Sequence, residues 1–296
     1  MSHLMTWILL LLPALYWTVL VSAAPAASIT TVTTNPGAKI GLAWANGDDP
    51  SLVHFKTAKV SLLYTWSPSF PSNAKALGFH PVPMLWGKNQ VSSFKKLVVK
   101  GYSDTVLGFN EPNEPGQSNL TAAQGASLWK EYIQPLKNEG YALISPATSS
   151  NPNGMVWMKA FIKACGSTCT FDGFATHYYD VTSSGLIDYI NLWHKTFGKP
   201  IWLTEFACQN YNGGPQCTKD QVFAFMAAVT KYMDQASWVA HYCAFGEFAL
   251  HTSLVVNVET LSALGVMHNM QGVNPLDQLM ASNGYPTSLG YNYING

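Results

Sequence analysis

Eight short apolar runs recur along the chain at a spacing that few folds accommodate. They are KIGLAWA from Lys39, VSLLYTW from Val60, PVPMLWG from Pro81, TVLGFNE from Thr105, YALISPATS from Tyr141, DGFATHYYD from Asp172, PIWLTEFA from Pro200 and SWVAHYCAF from Ser237. Each is nearly continuous in apolar residues rather than alternating, the pattern of a strand covered on both faces. Intervals of about 20 to 40 residues leave room for one crossover helix after each strand. TAAQGASLWKEYIQPLKNEG supplies such a helix, with Ala122, Ala126, Leu128, Trp129 and Ile133 on one side, Thr121 as cap and Gly140 as stop. KDQVFAFMAAVTKYMDQAS repeats the pattern before the eighth run. Eight strand and helix units predict an α/β fold, a single (β/α)8 TIM-type barrel closed on itself. The competing fold, an open doubly wound sheet, usually brings a glycine-rich nucleotide loop, and neither G-x-G-x-x-G nor a phosphate loop occurs here. The tail after about Val255 is expected to carry the last helix and closing loops.

The chain opens with an apolar run from Trp7 to Val21, followed by small residues from Ala23 to Ala27. This predicts a signal peptide over residues 1–26, although His3 is the only basic candidate ahead of the run. The run is shorter than the ~20 apolar residues of a membrane span, so no stable membrane insertion is expected. The terminal SLGYNYING is too polar for a lipid-anchor tail. Residues 27–296 then form one secreted domain, in surroundings where disulfides persist. Cys165 and Cys169 in CGSTC, and Cys208 and Cys217 in CQNYNGGPQC, are each close enough to clip a local loop, which leaves Cys243 unpaired. Neither spacing is that of a zinc knuckle and no histidine pair stands at ligand distance, so no metal is predicted. Asn119 in Asn-Leu-Thr is the one glycosylation sequon.

Lys plus Arg and Asp plus Glu are balanced at 16 each, and charged residues make up only 11% of the chain, which excludes nucleic acid as a partner. A neutral partner suits this balance, and the 10 Trp and 14 Tyr offer rings that match the C–H faces of pyranoses. Barrel enzymes place their chemistry at the carboxyl ends of strands, so the acids standing there matter most. Glu111 ends the fourth run in LGFNEPN and Glu205 ends the seventh in IWLTEFA. Asp180 after the sixth and Glu247 after the eighth are the other strand-end acids, while Glu114, beyond Pro112 and Asn113, reads as surface loop. Hydrolysis of a glycosidic bond needs two carboxyl groups, one to protonate the leaving oxygen and one to attack carbon or activate water. Glu111 and Glu205, in apolar strand-end surroundings, answer that need. Asn110 beside Glu111 is placed to hold a sugar 2-hydroxyl. His177 and Tyr179 share one strand face by the two-residue period, so both can orient a carboxylate or a hydroxyl. Trp44, Tyr64, Trp66 and Trp86, at the ends of the first three strands, are candidate stacking platforms, whereas Trp202 inside the seventh reads as core.

Asn110-Glu111-Pro112 at the end of a fourth strand, with a glutamate ending the seventh, resembles the (β/α)8 clan A of retaining glycosidases. The strings GFNEPNEPGQSNLT, ISPATSS, DGFATHYYD and KPIWLTEFAC are similar to its family 128, secreted fungal β-1,3-glucanases and related cell-wall proteins. The resemblance implies that Glu111 is the acid/base and Glu205 the nucleophile of a double displacement, with a carboxyl separation of about 5 Å rather than the about 6.5–9.5 Å of inversion. It implies no metal or organic cofactor and a β-1,3-glucan polysaccharide or oligosaccharide cut internally as substrate; a monomer is expected, and the leader segment predicts an extracellular or cell-wall location. Two alternatives stay open: a non-catalytic glucan-binding wall protein on the same fold, and an enzyme for a β-1,4, β-1,6 or mannan linkage.

Overall fold

The computed structural model describes residues 38–246 and 273–296. The expected signal peptide and Glu247 lie outside the described residues. All eight apolar runs contain strands: β1 (Ile40–Ala43), β2 (Val60–Tyr64), β3 (His80–Pro81), β4 (Thr105–Leu107), β5 (Ala142–Ile144), β6 (Phe174–Asp180), β7 (Ile201–Cys208) and β8 (Val239–Ala244). Six of them pair in parallel in the order β3-β2-β1-β8-β7-β6, and β4 pairs with β5. Two parallel bridges join these sheets. Met84 pairs with Leu107, whose N–H donates to Pro83 O at 3.0 Å, and Ile144 pairs with Gly173, whose carbonyl accepts from Ser145 N–H at 3.0 Å. Every strand therefore has a parallel neighbour on each side, which is the ring of a TIM-type barrel. The third strand is short because Pro81 and Pro83 have no N–H to give to a ladder, and it pairs only in pieces.

Between strands run α1 (Val91–Leu97), α2 (Ala122–Leu128), α3 (Pro152–Cys165), α4 (Ser183–Phe197) and α5 (Lys219–Gln235), with α6 (Ser288–Asn295) closing the chain. Thr121 and Thr218 cap α2 and α5 through Thr-x-x-Gln capping boxes. The helix expected from Thr121 to Gly140 holds its α form only to Leu128, then widens over Trp129–Ile133 and tightens over Gln134–Glu139. Pro135 is the physical reason, since its ring cannot follow a regular turn; Gly140 still ends the segment at φ 97°. Residues Leu62, Tyr64, Met84, Leu107, Ile144, Ala175, Trp202 and Cys243 fill the barrel interior, and separate apolar clusters pack the strands against the helices. Gly41 belongs to this packing, because a Cβ there would meet Cys243 Sγ at 2.5 Å. Cys165–Cys169 and Cys208–Cys217 are bonded and Cys243 is a buried free thiol. Among the described residues no helix is long and apolar enough to cross a membrane.

Lys39, 4% exposed, sits at the foot of the barrel with its Nζ donating to the carbonyls of Met233 (2.8 Å), Asp234 (3.0 Å) and Ala236 (2.8 Å). It thereby satisfies the orphan acceptors at the end of α5 and opposes the helix dipole. Burial lowers its pKa, and Asp234 partly offsets the effect. Lys39→Met strands these acceptors and should cost about 2–4 kcal/mol of stability, read as a lower midpoint in chemical denaturation. An unchanged midpoint would remove Lys39 from the fold's supports.

Candidate active site

The residues after β4 run along those that follow β5, where Glu111 N–H donates to Ala147 O at 2.7 Å. At Glu111 the backbone turns to φ 39°, a left-handed conformation that costs a non-glycine residue about 1–3 kcal/mol. The loop folds back at once, with Glu114 N–H on Glu111 O (2.9 Å) and Ser118 N–H on Asn110 O (3.2 Å). Glu205 reaches the same place through an irregularity in β7. The ladder to β8 shifts register between Leu203 and Phe206, which both pack toward the helices although they are three positions apart. A bulge of this kind re-aims one side chain, here that of Glu205, into the barrel mouth.

His177 in β6, fully buried, stands between the two acids. Its Nδ1 lies 2.8 Å from Glu111 Oε1 and 3.4 Å from Glu205 Oε2. Glu205 is held from two further sides, by Trp66 Nε1–H donating to Oε1 (2.7 Å) and by the Tyr179 hydroxyl donating to Oε2 (2.5 Å). Trp66 adopts φ 53° to make this contact. Phe245 packs edge-on against both donor rings, at 5.7 Å from Trp66 and 5.9 Å from Tyr179. One oxygen of each carboxyl group and a nitrogen of His177 all lie within 4.8 Å of one another. Among the described residues this is the one cluster whose donor set could hold a metal ion. The same Nδ1 faces both acids, so His177 ties the pair together without an ion.

The electrostatics follow from burial and proximity. Burial acts to lower the pKa of His177, but Glu205 and Glu111 outweigh it, and the net shift is upward. Burial likewise pushes Glu205 up; His177 opposes it, Glu111 adds to it, and the hydrogen bonds from Tyr179 and Trp66 oppose it. The Tyr179 hydroxyl is driven well above its ordinary range by burial and by Glu205, so it remains a proton donor to the carboxylate.

A cleft of about 650 Å³ opens over this cluster, lined by Glu111, Glu205, Asn110, Trp66, Trp86 and Tyr179 among the expected residues. Asn110 Nδ2 donates to Gln117 Oε1 at 3.2 Å. Two expected platforms are placed elsewhere. Trp44 is fully buried against Phe55, because Ile40, Leu42 and Trp44 share the strand face that meets the helices. Tyr64 is fully buried inside the barrel, its hydroxyl donating to Thr204 O at 2.8 Å, so it braces Trp66 and β7 and offers no face to a ligand. Asn119 is exposed, at φ 46°, in the loop that leads to α2. Glu114, read from sequence as surface loop, lines the cleft, as do Tyr211 and Gln117. All three stand in loops that follow barrel strands, and that position, more than residue type, was the signal available for finding them.

The protein-family model described as glycosyl hydrolase catalytic core matches residues 41–293. Alkali-sensitive linkage protein 1 of Schizosaccharomyces pombe is 35% identical over 230 residues, 76% of this chain but only 41% of that protein's length. Among solved structures, a family 128 subgroup V exo-β-1,3-glucanase from Cryptococcus neoformans is 26% identical with TM-score 0.71, over 88% of this chain and 99% of that one. A subgroup IV endo-β-1,3-glucanase from Lentinula edodes is 26% identical with TM-score 0.68, over 88% and 99%. A subgroup VII oligosaccharide-binding protein from Cryptococcus neoformans is 26% identical with TM-score 0.69, over 90% and 96%. The chain belongs to the glycosyl hydrolase catalytic core family, and its kin are the proteins of glycoside hydrolase family 128.

Proposed function

We propose that this chain hydrolyses internal β-1,3-glucosidic bonds of glucans with retention of anomeric configuration, Glu205 acting as nucleophile and Glu111 as acid/base. The observation that carries the reading is the placement of the two carboxyl groups, with oxygens within 4.8 Å of one another on the floor of an open cleft. That proximity favours a retaining pair, whose carboxyl groups stand about 5–5.5 Å apart, over an inverting one at about 6.5–9.5 Å. Their surroundings divide the roles. Glu205 accepts from Trp66 and Tyr179, donors that stabilise a carboxylate, whereas among the described residues the Glu111 side chain meets only His177, which suits the group that trades a proton.

In the first step Glu205 attacks the anomeric carbon while Glu111 passes its proton to the departing oxygen, and the leaving sugar takes the bonding pair. In the second step Glu111 takes a proton from water, whose oxygen displaces Glu205 from the sugar and restores both groups. Asn110, whose Oδ1 is buried and unpartnered among the described residues, contacts the 2-hydroxyl of the reacting sugar. His177, its pKa raised, keeps the two acids together before substrate arrives. The substrate class rests on the family, in which both glucanases and an oligosaccharide-binding protein occur. The presence of both acids favours turnover over binding alone. We place the protein outside the cell; its two disulfides suit an oxidising environment.

The test is release of oligosaccharides from laminarin, linear β-1,3-glucan, cellulose, β-1,6-glucan and mannan. Wild type should act on the β-1,3-glucans, and Glu111→Gln and Glu205→Gln should each lose about a thousandfold or more. Activity confined to another polymer would discard the linkage, and glucan binding without release would make the chain a binding protein. The pH profile supplies a second test. Trp66→Phe and Tyr179→Phe each remove a hydrogen bond to ionised Glu205, so its pKa must rise further. The acid limb of kcat/KM should move to higher pH, with a fall of about tenfold at the optimum. Movement to lower pH would contradict the assignment of Glu205 as nucleophile.

A further inference from the structure

Glu114 lies three residues beyond Glu111 and lines the same cleft. Its Oε1 takes three donors: Asn113 Nδ2 (2.9 Å), Ser149 Oγ (2.5 Å) and Asn151 Nδ2 (2.6 Å). No hydrogen bond to Oε2 is found among the described residues, and that oxygen is not buried. Joining the loops after β4 and β5 does not require this carboxyl group. Asn113 already bonds Ser149 Oγ (2.7 Å) and accepts from Ser149 N–H (3.1 Å), and Asn153 Nδ2 donates to Asn113 O (3.2 Å). The three donors on Oε1 instead fix the direction in which the second oxygen points.

We infer that Glu114 determines leaving-group specificity, its Oε2 accepting hydroxyl groups of the sugar that departs. The inference rests on the hydrolytic reading above. An acid delivers its proton to the departing oxygen, so the departing sugar lies on the side of Glu111, over the loop that carries Glu114. A carboxyl oxygen with no partner among the described residues is a stronger acceptor for a neutral polyhydroxylated ligand than the amides and hydroxyls of Asn151, Ser150 and Gln117 that line the cleft with it. It favours a leaving group with free hydroxyls over one without.

Glu114→Gln isolates this contact. The donors from Asn113, Ser149 and Asn151 hold the amide oxygen at Oε1, so the loop tie survives and only Oε2 changes, from acceptor to N–H2 donor. The experiment compares kcat/KM of wild type and Glu114→Gln on laminaripentaose and on a nitrophenyl β-laminarioside, whose leaving group carries no hydroxyl. The loss on laminaripentaose should be about tenfold or more, and several times larger than the loss on the nitrophenyl substrate. Equal losses on the two substrates, as a purely structural role would give, or no loss on laminaripentaose, would overturn the role of Glu114 while leaving the hydrolase intact. A wild type that cleaves neither substrate would overturn the hydrolytic reading and this inference together.

Discussion

The structure turns on keeping two carboxyl groups close together out of water. With their oxygens within 4.8 Å, Glu111 and Glu205 repel each other and both lose hydration, a combination that unsupported burial would resolve by protonation or separation. His177 removes the difficulty by presenting one ring nitrogen to both acids, and its own raised pKa is the reciprocal of that arrangement. Trp66 and Tyr179 then make the two ends unequal, because both donate to Glu205 and neither to Glu111. The hydrolysis proposed above would draw on that inequality, since one group must stay charged as the other exchanges a proton.

The barrel supplies what holds this cluster against its own repulsion. Glu111 and Trp66 both adopt left-handed backbone, at φ 39° and φ 53°, and Glu205 follows an irregular register in β7. Strained positions of this kind persist where the surroundings over-determine them. The surroundings here are a packed interior braced by Tyr64 on Thr204, Gly41 against Cys243, and Lys39 at the foot of α5.

Strand runs, the Thr121 helix cap, both disulfides and the positions of the two glutamates were legible in the sequence, because each rests on local chemistry: apolar runs, a threonine ahead of an amphipathic segment, short cysteine spacings, and acids at strand ends. The two-residue period also placed His177 and Tyr179 on one face. Failures came where direction depends on tertiary packing. Trp44 and Tyr64 stand in or just after strands like Trp66, yet one faces the helices and the other the barrel interior, and composition alone does not separate these fates. Glu114 reads as surface in the sequence because its partners Ser149 and Asn151 belong to the next loop, about 35 residues away. The interrupted helix after Leu128 turned on Pro135, a residue present in the pattern but outweighed there by apolar periodicity.

The most direct test of the carboxylate pair is the stereochemistry of the first product. Proton NMR of a glucan digest, recorded before mutarotation equilibrates the new reducing ends, distinguishes the two anomers. If Glu205 forms a covalent glycosyl intermediate, the first signal to grow is that of the β-anomer, with the α-anomer following at the mutarotation rate. An α-anomer appearing first would mean single displacement by water, and the close pairing of Glu111 and Glu205 would not be the basis of the chemistry.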